Sequence, residues 1–244
     1  AGYDLSKLLT GSFGSLGVIL EATFKLAPLP LVSRTAVAKD VDPVTVGKAV
    51  SAVTASQLVP SALEVQGPPF SLLARFEGSQ RASERQVVEV VNLWQRCDVK
   101  SSILSGSAEI ECWRHHHDIV WGRVGDVCRI GLLPADMPDI LEKLGILLRR
   151  HGSGGWVSGR AGIGVLHARL GTDAGVSKLI VEELRSMLAS SAGYVVLLRG
   201  SPELRANIDA WGPLGDAQRV MGAVKRQFDP NGILSPGQWP TEVT

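Results

Sequence analysis

The sequence predicts an α+β fold, and three observations carry that prediction. After Pro30, strand and helix signals alternate in the order β-α-β-β-α-β, and a second set with the same order follows. The helix signals open on recognisable starts, such as Asp42 followed by Pro43. The two ends lie outside the pattern: a glycine-rich turn with an apolar run at the start, and a Pro/Gly-bearing tail at the finish.

Taken in order, residues 16–24 are β-branched and apolar after a glycine-rich turn, so they read as a buried strand. Pro28-Leu29-Pro30 breaks the pattern and marks a domain boundary. A strand follows at 32–38, then a helix capped by Asp42, then strands at 62–66 and 72–76. A longer helix starts after Ser79 and runs to about 96, with Val87, Val90, Val91 and Trp94 on one face. The strand at 101–104 closes the first set, and a helix at 108–120 leads to the second. That set comprises a strand at 127–133, a helix at 134–150, strands at 155–159 and 164–170, a helix at 173–189 and a strand at 194–198. A last helix at 216–228 stops at Asp229-Pro230-Asn231-Gly232, and 233–239 is an extended tail.

Each set has the order of a ferredoxin-like unit, an antiparallel sheet with helices on one face. Two such units joined edge to edge would protect the strands where they meet. The expected organisation is therefore a short first part (1–30), a large sheet domain (31–212) and a terminal helix and tail (213–244) that return to the first part.

The 244 residues are 45% hydrophobic and 20% charged, a balance that can bury a core. The net charge of +1 and the scattered Lys and Arg argue against nucleic acid as a partner. No apolar run has the length of a membrane span, and no signal-peptide pattern opens the chain. Cys97, Cys112 and Cys128 are odd in number and far apart, which fits reduced thiols of a cytoplasmic protein better than disulfides. The chain starts at Ala1 within what reads as ordered sequence, so a fragment with an N-terminal portion missing is expected.

The segment from Gly11 to Gly17 holds three glycines and two serines before the apolar run. Backbone N–H groups there can approach a ligand closely, although a tight turn with no ligand fits the spacing equally well. It is neither a Walker A loop, which needs Lys after its last glycine, nor a dinucleotide fingerprint, which should open a helix.

The wider string changes the weighting. Tyr3-Asp4-Leu5-Ser6-Lys7-Leu8-Leu9, Gly11-Ser12-Phe13-Gly14-Ser15-Leu16-Gly17-Val18-Ile19 and Glu21-Ala22-Thr23 resemble the FAD-linked oxidase family, which has a vanillyl-alcohol-oxidase-like fold. Pro60-Ser61-Ala62-Leu63-Glu64, residues 72–78 and Phe228-Asp229-Pro230-Asn231-Gly232-Ile233-Leu234-Ser235-Pro236-Gly237 extend the resemblance along the chain. It implies that 1–30 end a FAD-binding domain, that 31–212 form the cap or substrate domain, and that the tail returns to the flavin. It also implies that Gly11, Ser12, Gly14, Ser15, Leu16, Gly17, Val18, Ile19 and Ser235 lie along FAD, while the principal FAD loop lies upstream of residue 1. Phe13 stands where many members carry an acidic residue, which points toward the E-type FAD-binding subunit of glycolate oxidase.

Departures from the family pattern bear on the chemistry. Several D-2-hydroxyacid dehydrogenases hold a metal with His-x-Gly-Asp-Gly-Asn-x-His. The matching stretch here runs from Arg160 to His167, with Ile163 and Val165 at the Asp and Asn positions. One imidazole is a poor metal site, so no metal is expected. His167 reads as a strand histidine, with ligand or general base as the sharper alternative. Arg160 is either a surface arginine or a bidentate clamp for a substrate carboxylate.

In His115-His116-His117-Asp118, consecutive helical residues point about 100° apart and cannot converge on one ion. His117 and Asp118 fall near an Arg-Glu pair that binds substrate carboxylate in relatives, so His117 is a second weak catalytic candidate beside an outward-facing polar role. Trp113, Trp121 and Trp156 read as packing residues. Ser235 replaces the usual Asn of the terminal signature, a shorter arm toward any flavin contact.

The resemblance thus implies an FAD-dependent oxidoreductase subunit that oxidises glycolate or a related 2-hydroxyacid to the 2-oxo acid. Its implied partners are a second flavoprotein subunit and an iron–sulfur subunit, since this chain has no cluster-binding Cys set. The expected location is cytoplasmic, with peripheral attachment at the inner membrane face through partners as a variant. Two other readings stand beside it: a non-catalytic assembly subunit of that complex, and a stand-alone D-2-hydroxyacid dehydrogenase.

Overall fold

The computed structural model describes residues 2–151 and 154–238. It contains two compact units. One comprises residues up to Pro28 together with those from Trp211 onward; the other runs from Leu29 to Ala210.

The larger unit holds a single eight-stranded sheet. Its strands are β1 (Val32–Ala38), β2 (Ala62–Gly67), β3 (Ser71–Gly78), β4 (Ser101–Leu104), β5 (Asp126–Gly131), β6 (Trp156–Arg160), β7 (Val165–Gly171) and β8 (Tyr194–Arg199). They lie in the order β4-β1-β3-β2-β6-β7-β5-β8, and every pairing is antiparallel. The first four strands and the last four each form one βαββαβ set. The sets meet where β2 pairs β6, with Glu64 opposite Arg160 and Gln66 opposite Ser158. Each set thereby covers an edge that it would otherwise expose.

Four helices pack on one face: α2 (Pro43–Thr54), α3 (Gln80–Gln95), α5 (Met137–Arg150) and α6 (Ala174–Leu188). Their starts follow from local chemistry. The carboxylate of Asp42 accepts from Thr45 N at 3.0 Å and that of Asp173 from Val176 N at 2.8 Å, each satisfying a first-turn donor. Val46, Val50 and Val53, then Val87, Val90 and Trp94, then Leu141, Leu144 and Leu148, then Ile180, Leu184 and Leu188 recur at helical spacing. They meet Ala36, Leu72, Phe76, Cys128, Ile130, Leu166 and Ala168 from alternate strand positions in one core.

Two expectations need correction. Not every helix lies on one face: α4 (Gly106–Trp121), read only as a link, crosses the opposite face and touches β1, β6 and β7. The reason is that its inward side chains are mostly polar and match the polar side of the sheet. Residues 16–24 are not a strand either. They follow a turn in extended form with no ladder partner among the described residues, and Val18, Ile19, Leu20 and Phe24 are exposed. Apolar β-branched composition supplies a preference for extended backbone, but a strand exists only where a neighbour takes its hydrogen bonds.

The smaller unit contains α1 (Leu5–Leu9), started by Asp4, and α8 (Ala217–Phe228). The expected tail residue Trp239 lies outside the described residues. After β8 in the chain, the short α7 (Pro202–Asn207) is an element that the periodicity did not signal.

Candidate active-site face

The strands alternate between two environments. Residues such as Leu63, Val65, Val157, Leu166 and Ile130 enter the core. Their neighbours Glu64, Gln66, Ser158, Arg160, His167 and Arg129 therefore stand on the other face. The strand register sets them in two rows, Glu64–Arg160–Val165 and Gln66–Ser158–His167–Arg129. A sheet face with this many ionisable groups is not built for burial against an apolar helix layer.

The helix α4 is fixed across this face by polar contacts at three levels. Near its start, the buried Glu109 carboxylate accepts from Ser33 Oγ at 2.5 Å and Thr35 Oγ1 at 2.6 Å. Trp113 Nε1 also donates to Thr35 Oγ1 at 2.9 Å, and the Arg75 guanidinium lies 5.6 Å over the Trp113 ring. Midway, His116 Nδ1 is 2.8 Å from Gln66 Oε1, and Nε2 is 3.6 Å from Glu64 Oε2. At its end, the Arg169 guanidinium donates to Ile119 O at 3.1 Å, and Arg199 donates to the carbonyls of Val120, Trp121, Arg123 and Gly125. These two arginines satisfy the carbonyls that a helix C-terminus leaves open, with the favourable sign of charge. Ile119 and Val120 add a small apolar contact with Val127 and Trp156.

His167 is half-buried, with its ring 5.2 Å from that of Trp121 in an edge-on arrangement. Burial, followed by the nearby Arg129 and Arg160, outweighs the pull of Glu64 and holds its imidazole below the usual histidine value of 6.5. Arg160 and Arg129 are exposed, and among the described residues neither makes an ion pair. Arg129 lies 5.9 Å over the Tyr194 ring. Two cationic groups thus flank one neutral imidazole, an arrangement able to hold an anionic ligand beside a proton acceptor.

Of the sequence candidates, Arg160 and His167 share this face, while His117 is exposed and has no hydrogen bond to the sheet among the described residues. The histidine engaged with the sheet is His116, one position earlier. A helical wheel anchored on Glu109, Trp113 and His116 would have selected it, because i, i+4 and i+7 share a face. Arg129 also escaped notice, since only the β5–β7 register places it beside His167. Arg160 occupies the first histidine position of the resembling metal-binding stretch, and Ile163 and Val165 its Asp and Asn positions. Among the described residues, no group of three or more His, Cys, Asp or Glu could hold a metal.

In the smaller unit, the glycine segment and the terminal signature come together. Lys225 of α8 donates to Ser15 O at 2.8 Å, Leu234 O at 2.9 Å and Asp229 Oδ2 at 2.5 Å. Asp229 also accepts from Ile233 N and Leu234 N, and these bonds, led by that from Lys225, hold its carboxyl below the ordinary carboxylate value. Ser235 Oγ donates to Phe13 O at 3.1 Å, and the Phe13 ring stands edge-on to Trp211 at 5.6 Å.

Of the residues expected along FAD, Ser15 and Leu16 are buried, whereas Gly11, Gly14, Val18 and Ile19 are exposed and Ser12 and Gly17 are partly so. Gly11 has a φ of +82°, and nothing lies within 4 Å of where a Cβ would be. That open backbone fits a ligand lying along the segment.

Comparison with known proteins shows what this chain is similar to. Residues 215–239 match the family model "FAD linked oxidases, C-terminal domain". Over 268 aligned residues, 97% of this chain is 24% identical to glycolate oxidase subunit GlcD of Escherichia coli (strain K12), covering 54% of that protein. A stretch of 73 residues, 30% of the chain, is 37% identical to GlcD of Bacillus subtilis (strain 168), covering 16% of it.

The chain is similar to the FAD-linked oxidases.

FAD is the cofactor of that family. Solved structures show the same fold. A VAO-type flavoprotein from Myceliophthora thermophila superposes with a TM-score of 0.57 at 15% identity, over 91% of this chain and 49% of the other. An alkyldihydroxyacetonephosphate synthase gives 0.60 at 14% identity, over 96% and 49%. The chain therefore spans about half of these structures and of the Escherichia coli protein. The relatives carry the designation GlcD; the E-type reading rests on Phe13.

Proposed function

We propose that this chain forms the substrate side of a flavin-dependent 2-hydroxyacid oxidoreductase of the glycolate oxidase type. The observation that carries the reading is the polar sheet face, where Arg160 and Arg129 flank His167 beside a His116 held by Gln66 and Glu64.

Oxidation of a 2-hydroxyacid removes a hydroxyl proton and a hydride from the adjacent carbon, leaving a 2-oxo acid. FAD, when bound, accepts the hydride. Arg160 and Arg129 bind the substrate carboxylate. With Gln66 Oε1 as acceptor, His116 Nδ1 carries the ring hydrogen and Nε2 is left to take the hydroxyl proton. A proton on Nε2 then lies at ion-pair distance from Glu64 Oε2. The exposed segment around Gly11, Gly14 and Ile19, with Ser235, would hold part of the flavin.

Similarity to GlcD supports membership of a glycolate oxidase complex with a second flavoprotein and an iron–sulfur subunit, at a cytoplasmic location. Phe13 favours the E-type role within it.

The test is purification of the full-length protein with its neighbouring subunits, measuring bound flavin and glycolate-dependent dye reduction. Bound FAD and a fall in kcat of about 10²–10⁴ in His116→Ala are expected. His117→Ala should match the parent. Absence of flavin, or full activity in His116→Ala, would overturn the reading.

A further inference from the structure

We infer that the site is built for 2-hydroxyacids with an extended aliphatic side chain. This rests on the function proposed above and names its substrate class. Arg160 stands on the polar face and also lines a cavity of about 730 Å³. The walls of that cavity include Leu58, Val59, Pro60, Ala62 and Ile163. Val59 and Ile163 are 76% and 58% exposed, so apolar surface here faces solvent beside the Arg160 guanidinium. The volume falls in the range of small-molecule sites, whereas glycolate carries no side chain to fill it.

The charge pattern fixes the orientation of the occupant. Glu64 also borders the cavity, with its carboxylate 3.6 Å from His116 Nε2. Arg160 is the cation at the mouth without an ion pair among the described residues. A carboxylate on Arg160 places its 2-substituent toward the apolar walls. Burial of each methylene there strengthens binding by roughly fourfold.

The experiment compares kcat/KM for glycolate, 2-hydroxybutanoate and 2-hydroxyoctanoate in the full-length protein and in Ile163→Asp. Ile163 is largely exposed, so the variant keeps the core intact. The expected result is a rise in kcat/KM with chain length. In Ile163→Asp, the octanoate-to-glycolate ratio should fall at least tenfold. Oxidation of 2-hydroxyacids with no preference for length, or with a ratio that the variant leaves alone, overturns the inference and leaves the proposed function standing. No oxidation of any 2-hydroxyacid by a flavin-loaded protein removes the proposed function itself. Sedimentation velocity supplies the remaining outcome: a dimer that Ile163→Asp dissolves, with the ratio unchanged, assigns the groove to a second copy and overturns the inference.

Discussion

At the residue scale, Lys225 and Asp229 explain why two distant sequence markers belong together. A lysine inside an amphipathic helix reads as a solvated charge, yet here it is 8% exposed and donates to the carbonyls of Ser15 and Leu234. Nothing in the periodicity announces this, because the acceptors are backbone atoms outside the helix. The folded carboxyl of Asp229 titrates below the ordinary value of 3.8. The unfolded chain therefore binds the proton first on acidification. The stability contributed by Asp229 is complete above that ordinary value and is lost as pH falls below it through the folded value. Hydrogen exchange at the Ile233 and Leu234 amides should accelerate over that acid window, and Asp229→Asn should exchange fast at all pH values.

His167 follows the same sign for a different reason. Burial leads, and it opposes the charged ring, so the contribution of His167 is full above 6.5 and declines as pH drops toward its lower folded value. NMR titration of its ring protons should give a midpoint below that of a free histidine, and Arg129→Gln should move it upward. An unchanged midpoint in the variant would remove Arg129 from the neighbourhood of the ring.

At the element scale, sequence patterning was most informative where a helix buries an apolar stripe. The stripe of α3 on Val87, Val90 and Trp94 and the cap on Asp42 are both visible in the linear chain. The placement of α4 was not, because its contacts with the sheet are mainly polar: Glu109, Trp113 and His116 resemble an outward face until the strands supply partners. Glu109→Ala should leave the Ser33 and Thr35 hydroxyls without their acceptor and cost about 1–3 kcal/mol in chemical denaturation. Residues 16–24 misled in the opposite way. Their composition suits a strand, but strand formation depends on a neighbour that composition cannot supply.

A second element-scale prediction concerns the β6–β7 connection. Gly164 has a φ of +69°, and a Cβ there would collide with Leu132 O. Gly164→Ala combines a strained backbone with a backbone clash and should destabilise by about 1–3 kcal/mol. Its thermal melt should drop accordingly.

At the scale of the whole molecule, the sheet domain was legible because two sets of the same element order specify matching halves. The join between β2 and β6 could be anticipated as an edge pairing, but the opposition of Glu64 to Arg160 could not, since register depends on both strands. The residues from Leu29 to Ala210 contain the complete sheet and its core. Expressed alone, this segment should fold with a single cooperative melt. A broad, non-cooperative transition would show that the core needs the other unit.

The alternation of the strands separates two kinds of selection. Odd and even positions along β2, β6, β7 and β5 answer to different demands: one set maintains the core, and the other forms the polar face that α4 crosses. Replacing Arg160 or Arg129 need not disturb Val157, Leu166 or Ile130, which point the other way. A lineage can therefore retune the polar side of this sheet while inheriting the other side unchanged.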